Sequence, residues 1–387
     1  LLLSKHIESN LINEQMKILH VYKRSFPESM GGVEKFIDTL CKSISAFGVK
    51  NEVLSLSRSP SNHPIKLEGY NVHHAKEDIY IGSTGFSLQA FLKFKELSRD
   101  VDIIHHHYPH PFGDLLQILS FTNKPYIVTY HSDILRQKNL EVIYNPLKHF
   151  FLKRSHKIIA TSPNYYATSE ILQRYSSKVE IVPIGLYAAE YKIPIKKRIK
   201  YWENRLGSNF FLFIGAERYY KGLKVALKAI ENTNIQMVFA GSMQANKDLA
   251  KYAKSKSIKN IIFLGKVLKK DKCALLKLCY GFIFPSNLRS EAFGIALLEA
   301  AYFGKPLISC EIGTGTSYIN KHEVTGIVVK PGDPKELRVA MQTLLKNKEL
   351  AKKMGENAKI RAKKLFTANK QSKSYLKIYS KILNQYR

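Results

Sequence analysis

At 387 residues the chain is long enough for two domains of ordinary size, and with 45% hydrophobic residues it can fill two packed cores. It contains 61 Lys and Arg against 31 Asp and Glu, a formal net charge of +30, and only four cysteines, none in a C-x-x-C pair. No apolar run reaches the ~18 residues of a membrane-spanning helix, and there is no zinc-finger or RNA-binding signature, so the composition argues against a membrane span, a zinc or disulfide framework and a nucleic-acid module.

Residues 1–15, LLLSKHIESNLINEQ, lack the long apolar core of a signal peptide and are expected to lie outside the fold. From Lys17 short apolar runs alternate with longer periodic segments. KILHVY (17–22), NEVLSL (51–56), YNVHHA (70–75), VDIIHHHY (101–108), PYIVTYH (125–131), KIIATS (157–162) and VEIVP (179–183) read as strands. VEKFIDTLCKSISAF and FSLQAFLKFKELS read as helices between them. Residues 187–206 are polar, basic and interrupted by proline, and read as a connection between domains. The alternation then restarts with strands at 210–216, 235–240, 260–265, 281–285, 305–309 and 325–329, and the C-terminal stretch from Lys335 reads as Lys-rich helices. Such alternation predicts an α/β protein with mostly parallel sheets covered on both faces.

The stretch 281–304, GFIFPSNLRSEAFGIALLEAAYFG, carries the strongest chemical signal. A buried strand ends at Pro285, and a helix opens near Glu291–Gly294 and stops at Gly304. Glu291 at the helix mouth and Glu299 within it are eight positions apart, with Phe293 and Gly294 between. A helix N-terminus attracts phosphate, a glycine lets a ligand approach the backbone, and a carboxylate accepts two hydrogen bonds from neighbouring sugar hydroxyls. An ordinary core helix bearing two surface glutamates gives the same letters.

Five other places stand out. Gly31 and Gly32 follow the first strand and open the first helix, where a phosphate, a sugar or a plain turn fits. In 105–110, His105 and His107 share one strand face while His106 points to the other; without a carboxylate or cysteine at ligand spacing no metal site is expected. His131 ends a strand, where open α/β sheets place their ligands, although structural histidines also occur there. Arg218 and Lys221 follow the strand FFLFIGA and either clamp a diphosphate or are solvated charges. Gly313, Gly315 and Thr316 are candidates for the nucleotide side of a site.

The pattern S-E-A-F-G-I-A-L-L-E-A, followed by G-K-P-L-I-S, resembles the E-x7-E signature of the family 4 glycosyltransferases. P-E-S-M-G-G-V-E-K resembles their glycine loop and H-H-H-Y-P-H-P the strand-end segment beside their cleft. H-S-D-I-L-R-Q with E-I-G-T-G-T-S-Y is similar to the lipopolysaccharide subgroup, most of all the O-antigen mannosyltransferases. The resemblance implies a retaining hexosyltransferase of GT-B fold, two Rossmann-like domains facing across a cleft. Residues 16–187 would form the acceptor domain, 207–366 the nucleotide-sugar domain, and 367–387 a helix returning to the first domain. It further implies that Glu291 and the amides of Phe293 and Gly294 hold the sugar, that Glu299 holds the ribose, and that Arg218 and Lys221 hold the diphosphate. His131 would bond the transferred sugar, Gly31 and Gly32 would shape the acceptor side, and Asp133 and Arg136 would serve nearby. The family places arginine directly after the glycine of that strand, whereas this chain has Gly215–Ala216–Glu217 and then Arg218.

The expected reaction moves mannose from GDP-mannose to a lipid-linked or lipopolysaccharide acceptor, without a metal or other cofactor. A UDP-hexose is the rival donor. A nucleotide-sugar epimerase on the same scaffold and a basic non-enzymatic binding protein are the rival classes. The four cysteines without a C-x-x-C pair fit a reduced, cytoplasmic setting, and the positive charge predicts a protein held at the inner, anionic face of the plasma membrane; the two glutamates would repel phosphates, so no nucleic-acid partner is expected.

Overall fold

The computed structural model describes residues 16–82, 84–134, 138–191, 196–241 and 246–386. The expectations for residues 1–15 and for Arg136 lie outside them. The chain forms two units: one takes Leu1–Thr161, Ser169–Gly185 and Ala368–Arg387, the other Ser162–Thr168 and Leu186–Thr367.

In the first unit the strands are β1 (Lys17–Val21), β2 (Lys50–Ser57), β3 (Ile65–Leu67), β4 (Tyr70–Lys76), β5 (Ile79–Ile81), β6 (Thr84–Phe86), β7 (Ile103–Tyr108), β8 (Tyr126–Tyr130), β9 (Lys157–Ala160) and β10 (Val179–Ile181). Eight of them make one sheet in the order β10-β9-β8-β7-β1-β2-β4-β3, parallel throughout except where β3 meets β4; β5 and β6 form a separate hairpin. The first helix, Gly32–Ser45, buries Phe36, Ile37, Leu40, Cys41 and Ile44, an apolar stripe at helical spacing. The C-terminal helix Ala368–Tyr386 packs beside it and buries Tyr375, Ile378, Tyr379 and Ile382. The two helices are joined by a hydrogen bond of 2.6 Å between Ser43 and Ser372.

The second unit contains β11 (Phe210–Ile214), β12 (Gln236–Ala240), β13 (Ile261–Gly265), β14 (Gly281–Phe284), β15 (Leu307–Cys310) and β16 (Gly326–Val329), all parallel, in the order β13-β12-β11-β14-β15-β16. That is the doubly wound order, reversing direction between β11 and β14. Every residue of β11, FFLFI, is buried, as expected for a strand covered on both faces.

Three features depart from the sequence reading. The stretch 187–206 is not a bare connection: helix Lys196–Leu206 belongs to the second unit and buries Trp202 and Leu206. Trp202 Nε1 donates to Asp271 at 2.9 Å, and Arg198 donates to the same carboxylate at 2.8 Å. The short strands β3, β5 and β6 were not expected. The helix of the E-x7-E stretch runs only over Ile295–Tyr302, with Gly294 as its N-cap, so Glu291 and Phe293 sit in the loop before it. Among the described residues no helix is long and apolar enough to cross a membrane.

Candidate active site

In an open parallel sheet, ligands bind outside the strand C-termini where the order reverses. In the second unit that point lies between β11 and β14, and the loops leaving these two strands carry Lys221 and Glu291. Their meeting depends on a glycine. Gly222 has a φ of +64°, and a Cβ there would stand 2.0 Å from the carbonyl oxygen of Pro285. Only glycine lets the β11 loop close against the end of β14 in this way. The short 3-10 turn Tyr219–Lys221 then sets the Lys221 ammonium 4.7 Å from the Phe284 ring centre and in ion-pair contact with Glu291. Ser286 donates to the same Glu291 oxygen at 3.2 Å. The lysine and glutamate side chains are 12% and 11% exposed, so the pair is largely withdrawn from water but still reachable. Removing either charge would strand the other.

Three residues after Glu291, Gly294 takes a φ of +96° and begins the helix Ile295–Tyr302, which no side chain caps. Among the described residues the first-turn amides therefore have no side-chain acceptor, as an anion-binding terminus requires. Leu297, Leu298, Ala300 and Ala301 anchor the helix in the core, each leucine contributing roughly 1.5–3 kcal/mol of burial.

Glu299 lies in this helix and is only 4% exposed. Its Oε1 accepts from the Lys272 ammonium at 2.6 Å and from the Tyr191 hydroxyl at 2.7 Å. Burial, then the Glu299 charge, pushes the Tyr191 hydroxyl well up, so it remains a donor. The two glutamates thus belong to separate ion pairs, Lys221–Glu291 and Lys272–Glu299. A carboxylate buried this far requires a charge partner. Lys272 and Tyr191 fill that place.

Arg218 is exposed and makes no ion pair among the described residues. Phe293 is buried: a Cβ on Gly315 would fall 2.5 Å from its ring, and Gly315 N–H donates to the Ala292 carbonyl at 2.8 Å. Thr316 also turns inward. It is 1% exposed and its hydroxyl donates to the Cys310 carbonyl at 3.3 Å, so its side chain does not line an open nucleotide site.

In the first unit, Gly31 is the N-cap of helix Gly32–Ser45 and both glycines are exposed. A Cβ on Gly32 would meet nothing within 4 Å, whereas one on Gly31 would strike the Glu34 carboxylate. The open approach expected of both is therefore clear at Gly32. Asp133 accepts from the hydroxyls of Tyr130 and Ser169, each at 2.9 Å. His131 is 6% exposed, lies edge-on to Phe36 with ring centres 4.8 Å apart, and bonds His107 at 3.2 Å. Burial pushes its pKa down to about 3, so it is a neutral imidazole at physiological pH.

His105 and His107 share one face of β7, as the strand period requires, and His106 bonds Gln117 on the other. His20, His105 and His107 bring one nitrogen each within 4.8 Å of one another, a group of metal-ligating type. Each ring already has hydrogen-bond partners: Asn51 and His107 for His20, Tyr379 and Thr129 for His105, His20 and His131 for His107. The set is satisfied without an ion, and no carboxylate or thiolate is in the group to balance one.

Residues 30–189 match the family model "Glycosyltransferase Family 4", and residues 195–361 match "Glycosyl transferases group 1". Across 353 residues the chain is 46% identical to D-rhamnosyltransferase WbpZ of Pseudomonas aeruginosa, covering 91% of this chain and 93% of that one. The chain belongs to the family 4 glycosyltransferases. This glycosyltransferase is also 40% identical over 368 residues to the O-antigen chain mannosyltransferase C of Escherichia coli, with coverage of 95% and 99%. Among solved structures it is similar to sucrose-phosphate synthase from Thermosynechococcus elongatus, with a TM-score of 0.81 at 17% identity over 96% of this chain and 100% of that one. Anabaena HepE, in a complex with UDP and glucose, gives a TM-score of 0.76 at 16% identity over 95% and 100%. These likenesses establish the GT-B fold with its two Rossmann-like units.

Proposed function

We propose that this glycosyltransferase adds a mannose-type hexose, from GDP-mannose, to a lipid-linked O-antigen glycan, with retention at the anomeric carbon. The observation that carries the placement of the donor is the Lys221–Glu291 pair at the reversal point of the second sheet, beside an uncapped helix start. Lys221, joined by Arg218 when the donor arrives, neutralises the diphosphate together with the first-turn amides. Glu291 and the amides of Phe293 and Gly294 hold the sugar, and Glu299 accepts from the ribose hydroxyls. In the first unit, His131 and Asp133 contact substrate hydroxyls, and Gly31 and Gly32 leave room for the acceptor. No metal is required, because lysine, arginine and the helix terminus supply the positive charge.

The choice of sugar is supported by the two relatives named for rhamnosyl and mannosyl transfer; D-rhamnose is mannose lacking its 6-hydroxyl. The +30 charge favours an anionic membrane surface, where a lipid-linked acceptor resides. Thermal unfolding with GDP, UDP and their hexose conjugates tests the donor. GDP and GDP-mannose are expected to raise the midpoint, since a ligand binding only the folded state stabilises it by mass action. Stabilisation by UDP-hexoses alone would replace this donor with the rival one.

A further inference from the structure

We infer that a directed chain of hydrogen bonds, from Asn51 through His20 and His107, fixes His131 in the tautomer that carries its proton on Nε2 and presents Nδ1 as an acceptor. Three of the four residues lie on neighbouring strands and the fourth at the end of the next strand. Asn51 lies on β2, His20 on β1, His107 on β7, and His131 directly follows β8, in the sheet order β8-β7-β1-β2.

The direction follows from the asparagine. Its Nδ2 lies 3.4 Å from the Cys41 carbonyl, 3.2 Å from that of Val49 and 3.4 Å from that of Gly69. Three carbonyls around one atom identify it as the amide nitrogen, so Oδ1 is the atom turned to His20. His20 Nε2, 3.4 Å away, must then be the protonated nitrogen, and its Nδ1 is left as an acceptor. His107 Nε2 lies 3.1 Å from that Nδ1 and must donate to it. His107 Nδ1 is therefore bare, and His131 Nε2, at 3.2 Å, donates to it in turn. The last free choice in the series is made: His131 Nδ1 carries the lone pair.

The surroundings favour neutral rings and a single direction. Phe36 stands edge-on to His131 and His107, with ring centres 4.8 and 5.7 Å away. His105, the remaining imidazole in contact, is tied to Tyr379 and Thr129 at 2.7 Å each. Burial lowers the pKa of His20 to about 4, and those of His107 and His105 well below the ordinary value. An Nδ1 acceptor suits a sugar hydroxyl, which donates, and rejects an acceptor atom in the same place. His20, His107 and Asn51 are thus positioning residues acting through His131. The functional half of this inference rests on the reading of His131 as a sugar contact; the tautomer itself does not.

Long-range proton–nitrogen correlation spectra of the full chain labelled with 15N-histidine read each tautomer directly. His20, His107 and His131 are all expected as Nε2–H forms with bare Nδ1, and stoichiometric Zn²⁺ is expected to leave the signals in place. An Nδ1–H or mixed form at any of the three, or their displacement by Zn²⁺, overturns the chain. His20→Gln keeps an oxygen that accepts from His107 and is expected to preserve the His131 signal and a near-normal kcat/KM. His20→Phe removes the acceptor and is expected to give a mixed His131 signal and about a tenfold lower kcat/KM. Equal kcat/KM in these two variants, with the His131 signal altered in the second, overturns the functional half. The wild-type spectrum decides the tautomer even if His20→Phe fails to fold. A normal rate in His131→Ala beside the expected wild-type spectrum means that His131 is no sugar contact, while the chain stands.

Discussion

Lys221 and Glu291 are 70 positions apart in sequence, yet they meet as an ion pair because Gly222 lets the loop after β11 press against Pro285 at the end of β14. Gly222→Ala would place a methyl group 2.0 Å from a carbonyl oxygen at a φ of +64°. It is expected to cost at least about 2 kcal/mol of stability. It is also expected to lower transfer by more than partial unfolding explains, since Lys221 moves with the turn. Urea unfolding beside a transfer assay measures both; wild-type stability would show that the loop has another way to close.

Arg218 and Lys221 are expected to act as one clamp once the diphosphate is bound, although only Lys221 is paired beforehand. Leaving-group charge grows in the transition state, so the clamp matters to turnover. Lys221→Ala, which also leaves Glu291 unpaired, is expected to lower the rate by about a hundredfold. Arg218→Ala is expected to lower it less, and the double variant to lose less than the two single losses combined. A wild-type rate for Arg218→Ala would leave the task to Lys221 and the helix terminus alone.

Glu299→Gln keeps the shape of the helix while removing the charge that holds Lys272. If Glu299 accepts from the ribose, GDP affinity measured by calorimetry is expected to weaken by about 1.5–3 kcal/mol. Unchanged affinity with lower thermal stability would assign Glu299 to holding Lys272 and Tyr191.

Stability is expected to peak between about pH 6 and 7. Burial pushes His20 and His106 down to about 4 and His131 to about 3, while the unfolded chain takes up protons near the ordinary 6.5. The stability tied to these neutral rings is complete above pH 6.5 and is lost as the pH falls toward their folded values. At pH 5 each accounts for about 2 kcal/mol of that loss. Asp114 works in the opposite sense. Burial raises it to about 8 from 3.8, so its protonated form in the fold is lost as a stabilising factor as the pH rises between those values. Urea midpoints at pH 5, 6.5 and 8 are expected to be lower at both ends, and Asp114→Asn is expected to flatten the alkaline side. A flat profile from pH 6.5 to 5 would contradict the neutral burial of the histidines.

Binding to vesicles is expected to be electrostatic, because +30 of net charge accompanies no spanning helix among the described residues. Sedimentation with anionic vesicles should occur at low salt and disappear at high salt. Equal binding to neutral vesicles would point to apolar insertion.

The strands were legible because most are continuous apolar runs closed by turn residues. FFLFI and GFIF are buried along their whole length, and the parity of His105 and His107 followed from the strand period. The helix Lys196–Leu206 was not legible, since it buries only Trp202 and Leu206 and its short stripe of Ile199, Trp202 and Leu206 lies among basic residues just after Pro194. Strands of three residues, such as β5 and β6, are too short to show alternation. At the site, the E-x7-E spacing pointed to both glutamates, but their partners come from elsewhere in the chain. Lys272 is 27 positions from Glu299 and Tyr191 is 108 away, so no local pattern connects them. His20 is 87 positions from His107, and only the parallel pairing of β1 with β7 makes them neighbours.

The Lys221–Glu291 pair is expected to hold a GDP-hexose for transfer. The most direct measurement is the rate of mannose transfer from GDP-mannose to a lipid-linked glycan acceptor, for the wild-type chain and Glu291→Gln, with EDTA present. The wild type should transfer mannose at an undiminished rate in EDTA, with the product bond in the donor's α configuration, and Glu291→Gln should lose most of that rate while still folding. A Glu291→Gln variant as fast as the wild type, or transfer from UDP-hexoses only, would show that the pair does not hold a GDP-hexose.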